Sequence, residues 1–127
     1  MNTKKDNKNF NEFFQKKIYK LILNILKLIE KLPNDSVSRA IKDQLARSII
    51  SIGANQIEAQ SASSKRDFLK FYYYSLKSAN ESKFWLTLLK DTGKAEATQI
   101  NSLLKETDEI IKLFSSIVLK IKNKTTK

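Results

Sequence analysis

The segment FNEFFQKKIYKLILNILKLIEKLP, residues 10–33, decides the fold. Its apolar side chains recur at steps of three or four residues, a spacing that places them on one face of an α-helix. This face consists of Phe10, Phe14, Ile18, Leu21, Ile25, Leu28 and Leu32. Because Pro33 disfavours helical geometry in the residue before it, the pattern predicts a first helix over about 10–32.

Three more segments share this periodicity and predict helices over about 36–61, 65–91 and 95–121. Short breaks separate them, and long helices joined by short connections pack antiparallel. The sequence therefore predicts an all-α fold, an antiparallel up-down four-helix bundle over residues 10–122.

The breaks between the helices carry recognisable capping signals. Ser64 followed by Asp67 resembles a capping box, and Gly93 can take the left-handed conformation that closes a helix. Gly53 lies inside the second helix, where a glycine costs up to ~1 kcal/mol, so we expect another helix to approach it closely. Outside the helices, residues 1–9 are expected to be a disordered basic tail and 123–127 a second basic tail.

Composition removes several classes of function. The chain has no cysteine and no histidine, which excludes the Cys and His zinc ligands and the commonest general base. We therefore predict a protein that is not an enzyme and needs no cofactor and no metal. No apolar run approaches the ~18 residues of a membrane span, so the chain should have no membrane partner and a cytoplasmic location is the default expectation.

The net charge of +11 is concentrated near the chain ends. Residues 1–20 hold six lysines against two acidic residues, and residues 112–127 hold five lysines and no acidic residue. Such an excess suits a polyanion such as nucleic acid, although a gene rich in A and T would also encode many lysines. Because only three of the 24 basic residues are arginines, contacts should be directed mainly at phosphates.

The outward face of the third helix predicts where nucleic acid binds. Basic and aromatic residues alternate there at steps of three and four, an arrangement that can engage phosphates and stack on bases. The predicted nucleic-acid-binding residues are Arg66, Lys70, Tyr73 and Lys77, with Lys16, Lys17 and Lys20 adding charge. The stripe continues through Asn80 to Phe84. The alternative is a solvated charged face with Phe84 buried in a subunit contact.

The first two helices carry more apolar residues than one bundle can bury. Residues that fall outside the core stripes predict an oligomer interface, although single apolar residues on a surface are also ordinary. The predicted interface residues are Tyr19, Leu23, Leu26, Ile50, Ile57 and, on the third helix, Phe84.

Four polar residues lie on or beside the core stripes of helices 2 and 3: Arg47, Asn55, Glu58 and Glu81. We expect them to form a buried structural polar network, with Arg47 paired to Glu58 or Glu81 because an unpaired buried charge costs several kcal/mol. A catalytic site with two carboxylates is the alternative.

Segments of the second and third helices resemble a known family, the bacterial four-helix bundle proteins, also called large-subunit ribosomal RNA intervening-sequence proteins. The matching segments are Gln44-Leu45-Ala46-Arg47-Ser48, Ser51-Ile52-Gly53-Ala54-Asn55, Glu58-Ala59-Gln60, Ser64-Lys65-Arg66-Asp67-Phe68, Ser78-Ala79-Asn80-Glu81-Ser82 and Trp85-Leu86. The resemblance implies an up-down bundle that assembles as a ring, typically a homopentamer. It also implies kinship with the accessory variability determinant of diversity-generating retroelements, a basic pentamer that binds nucleic acid.

These observations lead to one main hypothesis and two alternatives. The main hypothesis is a homo-oligomeric basic scaffold, without enzymatic activity, that binds nucleic acid, with RNA favoured, mainly through phosphate contacts. One alternative is an adaptor whose apolar surface recruits a partner enzyme and which has no direct role in nucleic-acid binding. The other is a basic protein that lies on a membrane surface, although flanking interfacial aromatic residues are missing.

Overall fold

The computed structural model describes residues 3–125, with side chains described over residues 8–124. This part of the chain forms four α-helices and contains no strand. The helices are α1 (Thr3–Glu30), α2 (Ser36–Gln60), α3 (Lys65–Asp91) and α4 (Ala97–Thr125). The predicted all-helical bundle is confirmed, and the predicted helices correspond one to one with those observed.

The outer helices extend further than predicted. α1 begins at Thr3, so residues 3–9 are helical where a disordered tail was expected. These residues include neither glycine nor proline, and lengthening an existing helix needs no new nucleation. For the same reason α4 continues through most of the expected basic tail to Thr125. The remainder of both expected tails, residues 1–2 and 126–127, lies outside the described residues.

The loop between α1 and α2 is stabilised by the side chain of Asp35. This N-cap residue accepts hydrogen bonds from the Ser38 backbone nitrogen and from the Ser38 hydroxyl, both at 2.9 Å. These bonds, with a smaller contribution from Lys94 at 3.4 Å, lower the pKa of Asp35 to about 2. Lys94 follows α3, so its ion pair links the start of α2 to the end of α3.

The capping signals of α3 are confirmed at both ends. The Ser64 hydroxyl accepts a hydrogen bond from the Asp67 backbone nitrogen at 3.1 Å. At the other end Gly93 has φ +70°, the left-handed conformation. The backbone nitrogens of Gly93 and Lys94 then donate to the Lys90 and Leu89 carbonyls, both at 3.0 Å, which is the Schellman pattern of a helix end.

The order of the helices around the bundle determines which surfaces are neighbours. α2 packs on α1 and on α3, and α4 packs on α3 and on α1. Within the described residues the backbones of α1 and α3 make no close approach, and neither do those of α2 and α4. α1 and α3 therefore occupy opposite corners of the bundle.

Small hydroxyl side chains hold α2 and α3 together, the most extensive helix contact in the bundle. The Ser75 hydroxyl donates to the Ile52 carbonyl at 2.8 Å. Along the same seam the Ser78 and Ser51 hydroxyl oxygens lie 3.0 Å apart, and those of Ser82 and Ser48 lie 2.8 Å apart. Serine permits the two backbones to approach closely while each buried hydroxyl keeps a partner.

Aromatic side chains from three helices meet in the core. The Phe114 ring lies 4.7 Å from the Phe14 ring and 5.1 Å from the Tyr72 ring, measured between centroids, and both pairs are edge-to-face. All three side chains are buried. This cluster connects α1, α3 and α4 at the level where α1 and α3 face each other across the core.

Gly53 lies against α1, as the sequence predicted for a close helix approach. A Cβ atom at this position would come within 2.7 Å of Ile22 Cδ1 and 3.9 Å of Ile18 Cγ2. The contact at 2.7 Å is too short to persist, but Cδ1 is the flexible end of the Ile22 side chain. An alanine therefore fits if that end moves.

Because of this contact, the effect of Gly53→Ala on the stability of the bundle should depend on the side chain at position 22. In an Ile22→Val chain, which lacks Cδ1, Gly53→Ala should stabilise the bundle by about 1 kcal/mol, the difference in helix propensity. In the natural chain the gain should be smaller, because the Ile22 side chain must move. Urea unfolding of the four chains at one protein concentration measures the difference. Equal effects of Gly53→Ala in both backgrounds would contradict the Ile22 contact.

Candidate functional site

The outward face of α3 carries exposed basic residues around an exposed aromatic ring. We call Arg66, Lys70, Tyr73 and Lys77 the α3 basic face; all four side chains are exposed, as predicted. They share one side of a rigid helix because they follow one another at steps of three and four. The face can therefore present three positive charges and one ring to a partner without rearrangement of the backbone.

Little carboxylate charge compensates this face. Lys70 Nζ lies 3.9 Å from Asp67 Oδ1 and 4.8 Å above the centre of the Phe71 ring. Both members of this ion pair are about half exposed, so water screens it strongly. Arg66 and Lys77 form no ion pair with any described residue. The α3 basic face therefore keeps most of its positive charge.

Phe84 lies on the same side of α3, two turns beyond Lys77. Its side chain is 58% exposed, and its ring lies 4.9 Å from the Trp85 ring in an edge-to-face arrangement. The outward stripe predicted for the third helix ends at Phe84, and the structure places the ring there, next to the α3 basic face. The role of Phe84 in a subunit contact stays a prediction.

The other predicted nucleic-acid residues lie on a different side of the bundle. Lys16 and Lys20 are exposed on α1, and Lys17 is half-buried. Lys17 Nζ lies 2.9 Å from Glu109 Oε2 of α4. Because α1 and α3 occupy opposite corners, the predicted site is two surfaces rather than one.

Two lysines of α4 add charge beside these α1 lysines. The pKa of Glu109 is lowered by the hydrogen bond from Lys17 and by its charge, and also by the nearby charges of Lys105 and Lys112. Sequence analysis did not single out Lys105 and Lys112, because nothing in the α4 pattern shows which helix the lysines face.

The exposed apolar residues of α1 and α2 form one continuous surface. We call Tyr19, Leu23, Leu26, Ile50 and Ile57 the α1/α2 apolar patch. Tyr19 is 64% exposed and Ile57 is 62% exposed, and both border a groove of about 340 Å³. Leu23 and Leu26 continue the patch along α1, and Ile50 continues it two turns back along α2. Four of the five are exposed, and Leu26 packs partly on the core.

The groove within this patch covers an unusual buried group. Gly53 and Ile22 line it, and beneath them Gln56 is buried with no hydrogen-bond partner for Nε2 among the described residues. Sequence analysis missed Gln56, although it lies one turn after Ile52 on the core stripe.

The predicted buried polar network is wrong. Arg47, Glu58 and Glu81 are exposed, and Arg47 forms no ion pair with any described residue. Glu81 instead accepts a hydrogen bond from Trp85 Nε1 at 3.2 Å, and Asn55 bonds within its own helix to Ser51. Arg47 follows buried Leu45 by two residues, and at 100° per residue that places it on the opposite side of α2. Glu58 and Glu81 also point away from the buried faces of α2 and α3, whereas Asn55 lies at the edge of one and is half-buried.

Neither a cluster of metal-binding side chains nor a membrane-crossing helix occurs among the described residues. No group of three or more acidic side chains is close enough to hold a metal ion. None of the four helices combines the length and the apolar character that crossing a bilayer requires.

Comparison with known proteins identifies relatives of this chain. Residues 11–116 match the model of the 23S rRNA-intervening sequence protein family. A solved structure from Bacteroides thetaiotaomicron, a protein of unknown function from the S23 ribosomal protein family, is similar, with a TM-score of 0.78 and 35% sequence identity. The similarity covers 83% of this chain and 97% of that one. No curated protein matches the sequence significantly.

Proposed function

The chain belongs to the 23S rRNA-intervening sequence protein family, and from this membership and its surface we propose that it is a homo-oligomeric basic scaffold that binds RNA in the cytoplasm without enzymatic activity. The α3 basic face carries this proposal. Arg66, Lys70 and Lys77 bind phosphates, and the exposed ring of Tyr73 stacks on an unpaired base.

The chemistry of the basic residues supports phosphate contacts rather than recognition of a sequence. Lysine ammonium groups act as point charges, whereas reading a base edge favours the planar fork of arginine. Arg66 is the one arginine of the α3 basic face, and Lys16, Lys17 and Lys20 add only lysines. The protein should therefore bind RNAs of unrelated sequence with similar affinity.

The α1/α2 apolar patch supports the homo-oligomer. Contiguous exposed apolar surface is unusual in a protein that stays a monomer, and a second copy of the chain would bury it. The family resemblance implies five copies in a ring. Bringing protomers together also multiplies the basic faces available to one RNA, which strengthens binding through avidity.

A salt titration of RNA binding tests the proposal. The six proposed basic residues predict that log K falls against log salt concentration with a slope of about −4 for single-stranded RNA. Fluorescence anisotropy with two unrelated RNAs of 30 nucleotides measures the slope between 50 and 200 mM salt. A dissociation constant weaker than about 100 μM at 50 mM salt would contradict RNA binding and would favour the adaptor alternative.

A further inference from the structure

The bundle has a second basic surface on the side opposite the α3 basic face. A groove of about 310 Å³ runs between α1 and α4, the helix pair with the least extensive contact. Lys17 and Lys20 line it from α1, and Lys105 lines it from α4. Lys112 lies two turns beyond Lys105 on the same side of α4, and its charge acts on the nearby Glu109. We call these four residues the α1/α4 lysine groove.

The acidic residues in this groove leave it positively charged. Glu109 and Glu106 face it, and Glu109 is held by Lys17 at 2.9 Å. Two carboxylates thus oppose four ammonium groups. Lys16, one turn before Lys20, borders the apolar groove between α1 and α2 instead. Lys20, Lys105 and Lys112 are exposed and have no ion pair of their own among the described residues. They remain available to phosphates.

The remaining surfaces separate the two basic regions. On one side the α1/α2 apolar patch lies between them. On the other side lies the contact of α3 with α4, where Lys83 pairs with Asp108 at 2.8 Å. Two layers of helices, each about 10–12 Å across with side chains, also lie between the regions. The two basic regions therefore do not form one continuous track for a short RNA strand.

We infer that the α1/α4 lysine groove is a second phosphate-binding surface, so that one protomer holds two RNA segments on opposite sides of the bundle. This inference rests on the proposed function, because it gives the second surface the same kind of ligand. The protein then brings RNA segments together as well as binding them. No aromatic residue lines the groove itself, so its contacts are mainly to phosphates. The exposed ring of Phe13 lies one turn before Lys17 on α1, where a base next to the groove can stack.

The number of short RNA strands bound per protomer tests this inference. The probe is a single-stranded RNA of eight nucleotides, within the range of about 4–16 that single-strand sites occupy. The RNA is titrated into the protein at 50 mM salt, with the protein concentration well above the dissociation constant. The end point gives the number of strands bound per protomer, whatever the oligomeric state. The groove variant carries Lys20→Gln, Lys105→Gln and Lys112→Gln, which leaves the Lys17–Glu109 pair in place.

The face variant carries Arg66→Gln, Lys70→Gln and Lys77→Gln. We expect two strands per protomer in the natural chain, one in each variant and none when both sets are combined. A matched control removes three charges elsewhere, at Lys42, Lys83 and Lys90, whose ammonium groups already bond to Asn34, Asp108 and Asn101. The control should keep two strands.

Each other outcome has a distinct meaning. One strand in the natural chain, unchanged in the groove variant, would overturn the second surface and leave the proposed function intact. If the groove variant lost all binding while the face variant kept it, the groove would be the single RNA site. The inference that one protomer holds two RNA segments would then be overturned. No binding to the natural chain would overturn both proposals. Circular dichroism of every variant confirms that the helices persist.

Discussion

Replacing Arg66, Lys70 and Lys77 together with glutamine should weaken binding of single-stranded RNA about 10²- to 10³-fold at 50 mM salt. Each phosphate contact contributes about 0.7 to the slope of log K against log salt, so the loss of three contacts reduces the slope by about 2. Electrostatic contributions vanish near 1 M salt. When the salt concentration falls twentyfold, from 1 M to 50 mM, a difference of 2 in the slope changes the affinity about 10²- to 10³-fold.

The RNA affinity is measured in chains that already carry the groove substitutions, because the α3 basic face is then the one proposed RNA site left. Affinities of chains with and without the three α3 substitutions should converge as salt rises. The control that removes charge from Lys42, Lys83 and Lys90 should change affinity much less, because net charge alone acts only at long range. An equal loss in the control would show that total charge, and not the α3 basic face, governs binding.

A single substitution on this face separates stacking from charge. Tyr73→Leu keeps an apolar side chain and removes the aromatic ring, and base stacking contributes about 1–3 kcal/mol for each base. The variant should therefore bind more weakly with an unchanged salt slope. A change in slope would mean that Tyr73 positions the basic side chains instead of contacting a base.

Replacing Ile50 and Ile57 with lysine should dissociate the homo-oligomer. Burying one isoleucine side chain contributes about 1.5–3 kcal/mol, so the loss of both at each interface costs about 3–6 kcal/mol. The dissociation constant of that interface then rises about 10²- to 10⁴-fold. Sedimentation velocity at micromolar concentration should show assembled natural protein and a monomeric variant.

A matched control distinguishes the patch from a general effect of added charge. Val37 and Leu119 are also exposed apolar residues but lie outside the α1/α2 apolar patch. Changing both to lysine adds the same two charges and should leave the assembly intact. If the natural protein is a monomer at micromolar concentration, self-assembly is overturned, and the patch is free for a partner protein.

The positions of the helices could be predicted from the sequence because their signals are local. The apolar stripe from Phe14 to Leu32 is buried as predicted, whereas Phe10 is partly exposed at the outer part of α1. Pro33 and Gly93 act through the backbone of adjacent residues, so their effects need no knowledge of the rest of the fold. The exposure of Arg66 and Lys77 likewise follows from their position opposite the core stripe.

The burial of side chains at the edge of an apolar stripe could not be predicted from periodicity. Asn55 and Gln56 both lie close to the core stripe of α2, yet Asn55 is only half-buried and Gln56 is buried. The difference depends on the rotation of α2 about its own axis, which the serine contacts with α3 determine. Periodicity identifies the buried face of a helix but does not locate its borders to within one residue.

The sequence by itself determined four helices, their ends, and which side of each helix avoids water. Only the tertiary structure decided which helices are neighbours. That arrangement places α1 and α3 at opposite corners, separates the lysines of α1 from Arg66 and Lys77, and brings Tyr19 beside Ile57. The physical reason is that a helix is made by bonds between residues four apart, whereas surfaces are shared by side chains from distant parts of the chain, and packing alone brings those together.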